Sequence, residues 1–263
     1  MFILLTDETN TNEGKNAKFL VYGGLFFPMV NLERLHSGID KIRKAQGFKT
    51  DDKLKWDTNS RPKHVSLENF KRAKSAVITF SKKCECKFIA YVIHHKIAKG
   101  AALSDHKLTY AADHVIGAFN YFLQAEGKAR GICLVDPMPI NSPDAYLKEK
   151  FTDGLCQNQT KTYTALSNIL LFGETVINAS HASSAMDIVL GAFQYCINNP
   201  SYKVCKEIMP KVADMMWYQE RKGEKYIRDY GLIVRPKGTI KVAEYQKDYT
   251  DLFSSIEAMV RDV

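Results

Sequence analysis

The feature that most constrains the fold of this chain is a short apolar run at its start that leads directly into two carboxylates. The run occupies residues 2–6, with the sequence FILLT, and Asp7 and Glu8 follow it. Such a run is typical of a buried central strand, on which Asp7 and Glu8 would point to opposite faces. Charges at the end of a core strand are costly to bury unless they bind a cation. This stretch is therefore compatible with a metal site or with a strand that ends in solvated charge.

Three further strands are predicted in the first half of the chain. Residues 131–136, with the sequence GICLVD, are continuously apolar, as in a central strand covered on both faces, and end in Asp136. Residues 18–27 follow the first strand after a polar loop, which favours an antiparallel pair. The pair Gly23-Gly24 inside that strand predicts a bulge or a close approach of the backbone to a neighbour. Residues 86–95 form the remaining strand.

The rest of the chain is predicted to be mainly helical and to form a single α/β domain. Apolar spacing predicts helices over residues 31–46, 66–82, 104–124, 144–155, 180–196, 201–218 and 248–260. Later strands are predicted at residues 168–172 and 175–178, with a final hairpin from residues 230–234 and 239–242. We expect one domain over residues 1–263. Its core would be residues 1–198, with a helical insertion near 31–82 and with C-terminal helices and the hairpin of residues 199–263 packed on it.

Composition and charge narrow the class of protein. The chain has 263 residues, and 37 Lys and Arg against 29 Asp and Glu give a formal net charge of +8. This excess favours polyanionic partners such as nucleic acid. No apolar stretch is long enough for a signal peptide or a membrane span, so we expect a cytoplasmic protein without membrane attachment. The six cysteines form no C-x-x-C pair, which favours buried free thiols over a zinc site.

Three acidic positions share a context that points to chemistry. If the first and fourth strands are neighbours, their ends place Asp7 and Asp136 side by side, at the edge where open α/β sheets bind ligands. Asp187 lies among apolar residues of a helix that could pack over this edge. Clustered carboxylates repel one another unless cations neutralise them, and hard oxygen ligands suit Mg²⁺ or Mn²⁺. Two such ions about 4 Å apart can activate a water and stabilise the leaving oxygen in phosphodiester hydrolysis.

Each residue also has an ordinary structural role open to it. Asp136 precedes a proline and could cap a turn, and Asp187 could pair with a buried lysine or act as an early-helix charge. His181 lies near Asp187 in the sequence and could shuttle a proton or contact substrate. A single histidine at a helix start is more often structural. The strand-end context that the carboxylates share favours the metal site.

Several short motifs, in a consistent order over roughly residues 1–195, resemble those of the DUF3800 family, which is grouped with the ribonuclease H-like fold. The motifs are Asp7-Glu8-Thr9, Tyr22-Gly23-Gly24, Leu54-Lys55-Trp56, Leu134-Val135-Asp136 and Ser183-Ser184-Ala185-Met186-Asp187. Thr9-Asn10 replaces the Ser-Gly of the family pattern, and Ser184 and Met186 replace its Gln and Ala. These differences leave the carboxylates intact but alter the surroundings of the pocket.

The resemblance implies a ribonuclease H-like mixed sheet flanked by helices, with helical insertions. It also implies a metal-dependent phosphodiester hydrolase, in particular a nuclease that acts on DNA or RNA by a two-metal carboxylate mechanism. The implied ligands of Mg²⁺ or Mn²⁺, or acid/base groups, are Asp7, Glu8, Asp136 and Asp187, and Lys55 would face a phosphate. From the residues alone, Lys55 is equally well a solvated loop residue.

Two other functions fit the same residues. One is a non-catalytic nucleic-acid-binding module on this fold, and the other is a hydrolase of a small phosphorylated metabolite. A protein partner or an oligomer is compatible with the sequence, which identifies neither.

Overall fold

A computed structural model describes residues 1–9, 17–100, 107–138, 142–157, 162–176, 180–238 and 240–260. Strands and helices are interspersed along this chain. In order they are β1 (Phe2–Thr9), β2 (Phe19–Pro28), α1 (Leu32–Ala45), α2 (Leu67–Lys83), β3 (Lys87–His94), α3 (His95–Gly100), α4 (Lys107–Ala125), β4 (Gly131–Val135), α5 (Pro143–Thr152), β5 (Leu155–Gln157), β6 (Thr162–Thr164), β7 (Ile169–Glu174), α6 (His181–Asn198), α7 (Lys203–Ala213), β8 (Gln219–Arg221), β9 (Glu224–Tyr226), β10 (Leu232–Arg235) and α8 (Ala243–Val260).

The central element is a mixed sheet of six strands in the order β10-β3-β2-β1-β4-β7. β1 and β3 run antiparallel to β2, whereas β4 is parallel to β1, β7 to β4, and β10 to β3. The predicted antiparallel pair at the start of the chain is confirmed. The first and fourth strands are neighbours, which is the condition under which Asp7 and Asp136 would lie side by side. Because Thr6 pairs with Val135, Asp7 and Asp136 follow at the same level of the sheet.

Helices cover both faces of the sheet, which confirms the α/β class. Successive side chains of β1 point to opposite faces of the sheet and contribute to two hydrophobic cores. Leu5 packs in the core beneath α1, α2, α6 and α7, and Leu4 packs in the core beneath α4. Burial on both faces explains why β1 is continuously apolar. In β4, Cys133 and Val135 are buried on one face, and Ile132 and Leu134 are partly buried on the other.

The glycine pair in β2 allows the helices to approach the sheet closely. The pairing of β2 with both neighbours is regular throughout, so the close approach is realised and the bulge is not. A Cβ at Gly23 would lie 2.7 Å from Cδ1 of Leu190 on α6, and a Cβ at Gly24 would lie 2.7 Å from Cγ1 of Val115 on α4. Gly23 is paired with Asp7. The missing side chain therefore lets α6 pack tightly beside that carboxylate.

The predictions for the C-terminal third were partly wrong. The strand β10 joins the main sheet parallel to β3 and does not form a hairpin with residues 240–242, which are not a strand, while Thr239 lies outside the described residues. Parallel pairing with β3 satisfies one side of the backbone of β10, and Ile233 is buried in a core. The helix predicted over residues 201–218 ends at Ala213.

Two short hairpins, β5–β6 and β8–β9, were not predicted. Their strands have three residues each, which is too short for a periodic apolar pattern. The strand predicted at residues 175–178 is absent from Thr175 and Val176, and residues 177 and 178 lie outside the described residues. Instead, β7 continues through Gly173 and ends at Glu174.

Candidate metal centre

Three carboxylates converge where β1 and β4 end. Asp7 and Glu8 belong to β1 and Asp136 directly follows β4. One oxygen from each of the three side chains lies within 4.8 Å of the other two. The backbone N–H of Asp136 donates to the carbonyl oxygen of Thr6 at 3.1 Å. This bond continues the β1–β4 ladder by one step and fixes Asp136 beside Asp7.

Asp7 and Glu8 reach the same point although they leave β1 on opposite faces. Asp7 leaves β1 on the same face as Leu5, which packs beneath α6. Glu8 leaves it on the same face as Leu4, which packs beneath α4. The pairing of β4 with β1 stops at Val135. Beyond that residue, within the described part of the chain, no paired strand separates the two faces on this side of β1, so both side chains can turn toward Asp136.

The electrostatics of Asp7 and Glu8 show that no nearby positive charge in the described part of the chain offsets their burial. Burial, together with the nearby charges of Asp136, Asp187 and Glu8, raises the pKa of Asp7 to about 8. Burial, with Asp136, raises the pKa of Glu8 to about 7. One oxygen of Asp7 accepts a 2.8 Å hydrogen bond from the N–H of Glu8. In contrast, Oε2 of Glu8 is buried and meets no donor among the described residues. A bound cation would offset the burial of these carboxylate charges and would give Oε2 of Glu8 a partner.

The donor set fits a hard divalent cation. The three side chains offer only carboxylate oxygens, the ligand type that Mg²⁺ and Mn²⁺ prefer. The Glu8 oxygen that meets no donor among the described residues is the specific observation in favour of a ligand there, since buried polar atoms in proteins are normally satisfied. Asp7, Glu8 and Asp136 are thus the residues that would hold the ion.

Asp187 lies near this group but is not one of the three converging carboxylates. Its negative charge raises the pKa of both Asp7 and Asp136, which places this charge close to the cluster. Its Oδ2 accepts a 2.6 Å hydrogen bond from the backbone N–H of Trp56. Burial raises the pKa of Asp187, while this hydrogen bond and Lys55 lower it. Asp187 therefore holds the segment around Trp56 in addition to contributing negative charge.

The segment around Trp56 is docked on α6 by several contacts. The indole lies against Gly191, where a Cβ would come within 2.3 Å of Cγ of Trp56. The ammonium group of Lys74 donates to the carbonyl oxygen of Trp56 at 2.9 Å and lies 4.3 Å from the centre of its ring. Burial lowers the pKa of Lys74 to about 8. These contacts hold both the backbone and the side chain of Trp56.

Lys55 is thereby held beside the carboxylates. Its charge lowers the pKa of Asp136 and of Asp187, in each case against the effect of burial. Lys55 is partly buried and has no ion pair within 4.0 Å in the described part of the chain. Its ammonium group is consequently available to an anion bound at the cluster.

His181 belongs to a neighbouring cluster of side chains. Its Nδ1 lies 3.3 Å from Nη1 of Arg43, and because an arginine only donates, Nδ1 is the acceptor. The ring stacks on that of His36 with centres 4.5 Å apart. The buried Arg43 also donates to the carbonyl oxygens of Lys49, Thr50 and Asp52, at 2.9, 3.2 and 2.7 Å. These contacts favour a structural role for His181 in holding the loop that leads to Lys55.

One carboxylate at this edge was missed by sequence reasoning. Glu174 ends β7, is paired with Val135, and raises the pKa of Asp136. Its context at the end of an apolar strand is the same as that of Asp136, and this was the available signal. The strand prediction stopped before Gly173, so Glu174 was not recognised as a strand-end residue.

A comparison of the chain with models of known protein families finds no match, and a comparison with curated proteins also finds none. The resemblance to the DUF3800 family therefore stays a prediction that is based on its motifs. No helix within the described ranges has the length and apolar character needed to cross a lipid bilayer.

Proposed function

We propose that this protein is a metal-dependent phosphodiester hydrolase, in particular a nuclease that acts on DNA or RNA, with the ribonuclease H-like fold of the DUF3800 family. The observation that carries the proposal is the convergence of Asp7, Glu8 and Asp136, with oxygens within 4.8 Å of one another, at one edge of the sheet. The mixed sheet with helices on both faces is the coarse architecture that this fold requires. Ligands of open α/β sheets bind at the carboxyl ends of the strands.

Each residue of the site has a distinct role in this proposal. Asp7, Glu8 and Asp136 hold Mg²⁺ or Mn²⁺, and Asp187 adds negative charge while it positions the segment that carries Lys55. When bound, the ions supply an activated water and stabilise charge on the leaving oxygen. Lys55 faces a phosphate of the substrate. The net charge of +8 attracts the polyanionic backbone over a longer range.

The test is a calorimetric titration with Mn²⁺ and with Mg²⁺ of the wild type, of Asp136→Asn and of Glu126→Gln. Glu126 is an exposed carboxylate beyond the end of α4 and serves as the matched control. We expect Mn²⁺ to bind the wild type and the control, and we expect Asp136→Asn to bind it at least about tenfold more weakly, because removal of one ligand costs more than ~1.4 kcal/mol. Binding that is equal in all three proteins would contradict the proposed site.

Cleavage assays on single- and double-stranded DNA and RNA then test the reaction. Metal-dependent cleavage that Asp136→Asn abolishes supports the nuclease. Salt-sensitive polynucleotide binding without cleavage, unchanged or stronger in Asp136→Asn, would indicate a binding module instead. Hydrolysis of small phosphorylated compounds without polynucleotide affinity would indicate a metabolite hydrolase.

A further inference from the structure

The strand β7 forms an exposed edge of the main sheet. It pairs with β4 on one side, and in the described part of the chain no strand pairs with its other side. The pairing with β4 shifts register next to Gly131, and from Leu171 to Glu174 it is regular. A regular edge presents a row of backbone N–H and C=O groups that can pair with another strand.

Large apolar side chains flank this edge. Leu170 and Leu171 of β7 are 48% and 53% exposed, and Phe151 at the end of α5, a helix that packs against β7, is 64% exposed. Ile132 and Leu134 of the neighbouring β4 are only partly buried. Natural sheet edges are usually protected by charges, prolines or covering elements. An apolar edge of this kind is instead typical of an interaction surface.

The charges at the two ends of β7 are complementary to each other. At the start of the strand, Nη1 of the exposed Arg130 donates to the carbonyl oxygen of Ser167 at 2.9 Å and lies 3.3 Å from Oδ1 of Asn168. At its end is the exposed carboxylate of Glu174. The six residues of the strand place the two charges roughly 20 Å apart. Antiparallel pairing of two such strands brings each Glu174 toward the Arg130 of the other copy.

We infer that β7 is the interface of a two-fold symmetric homodimer, in which the β7 strands of two copies pair antiparallel and join the two sheets. A two-fold interface must be self-complementary, because each patch meets its own copy. The edge of β7 meets this condition with apolar residues at its centre and opposite charges at its ends. Since Glu174 also borders Asp136, the interface lies beside the carboxylate cluster.

The test measures the oligomeric state by sedimentation velocity over a wide range of protein concentrations. We expect the wild type to dimerise and Leu171→Asp to dimerise about tenfold or more weakly, since it places a charge at the centre of the interface. Val242→Asp is the matched control, because Val242 is a valine that is 46% exposed before α8, outside this edge. It should dimerise as the wild type does. Circular dichroism verifies that each variant is folded.

A charge exchange tests the arrangement independently and needs no substitution in the apolar centre. Arg130→Glu and Glu174→Arg should each weaken the dimer, and the two together should restore it, because the exchanged charges again attract. A wild type that is monomeric at every concentration would overturn the inference. Equal dimerisation of Leu171→Asp and wild type would do so too, as would equal weakening by Val242→Asp. Failure of the double variant to recover would rule out the antiparallel arrangement.

Discussion

The carboxylate of Asp187 accepts a 2.6 Å hydrogen bond from the backbone N–H of Trp56, a residue 131 positions earlier in the chain. This bond ties α6 to the loop that carries Lys55. The positive charge of Lys55 lowers the pKa of Asp136 and of Asp187 itself. One side chain thus links the position of a cation to the carboxylates at the end of the sheet.

The first prediction separates the hydrogen bond of Asp187 from its charge. Asp187→Ala should destabilise the protein by about 1–3 kcal/mol, because it leaves the N–H of Trp56 without its acceptor. Asp187→Asn keeps an oxygen that can accept this bond and should retain most of that stability. Urea unfolding of both variants measures the difference. Equal losses in the two variants would show that the charge, and not the hydrogen bond, is what matters for stability.

The second prediction concerns the pH dependence of stability without divalent ions. The pKa of Asp7 is raised from 3.8 to about 8 in the folded protein, so the folded state binds this proton more tightly than the unfolded state. The stability that comes from protonated Asp7 is fully present below the unfolded value and is lost as the pH rises through about 8. Asp7→Asn removes this loss because it stays neutral throughout.

Thermal unfolding in a chelating buffer measures this effect. The melting temperature of Asp7→Asn minus that of the wild type should be larger at about pH 9 than at about pH 5. Glu126→Gln, which changes an exposed carboxylate, should show a much smaller change in this difference. A difference for Asp7→Asn that does not vary with pH would mean that the carboxylate of Asp7 is not protonated in the folded protein.

The third prediction concerns the packing of Trp56 on α6. Alanine within a helix is intrinsically favoured over glycine by about 1 kcal/mol, but a Cβ at Gly191 would lie within 2.3 Å of the Trp56 side chain. We therefore expect Gly191→Ala to destabilise the protein and to displace the indole. In a Trp217→Phe background, fluorescence reports on Trp56 alone, since the chain has 2 tryptophans.

Gly238→Ala is the control for this substitution, because a Cβ there would meet no atom within 4 Å. It should change neither the stability nor the fluorescence appreciably. If Gly191→Ala proved as stable as the wild type with an unchanged spectrum, the close contact between Gly191 and Trp56 would be incorrect.

The fourth prediction rests on the proposed nuclease function and compares two lysines of one loop. Lys55 is held beside Asp136 and Asp187, whereas Lys53 is exposed to solvent. Lys55→Ala should reduce metal-dependent cleavage by about tenfold or more and lower the salt dependence of polynucleotide binding by about one phosphate contact. Lys53→Ala should affect both much less. Similar effects of the two substitutions would assign Lys55 to general surface charge.

Much of the fold was predictable because burial leaves a local pattern in the sequence. The residues of β1 and β4 form short continuous apolar runs, and the structure places a strand at each run. β1 covers residues 2–6 and continues to Thr9, and β4 covers residues 131–135. The strands of the short hairpins β5–β6 and β8–β9 have no such apolar run, so these hairpins were not predicted. The apolar pattern also could not show that β10 would pair with β3, because a strand carries no local mark of its partner.

Local composition sets where apolar strands run and stop, so the positions of Asp7, Glu8 and Asp136 near the ends of such strands could be read from the sequence. The convergence of these carboxylates, the hydrogen bond between Asp187 and Trp56, and the place of Glu174 at the same edge depend on the folded arrangement. Those relationships connect residues far apart in the chain. They depend on which strands become neighbours and on where Gly23 and Gly191 let elements approach, and no periodicity along the sequence encodes such contacts.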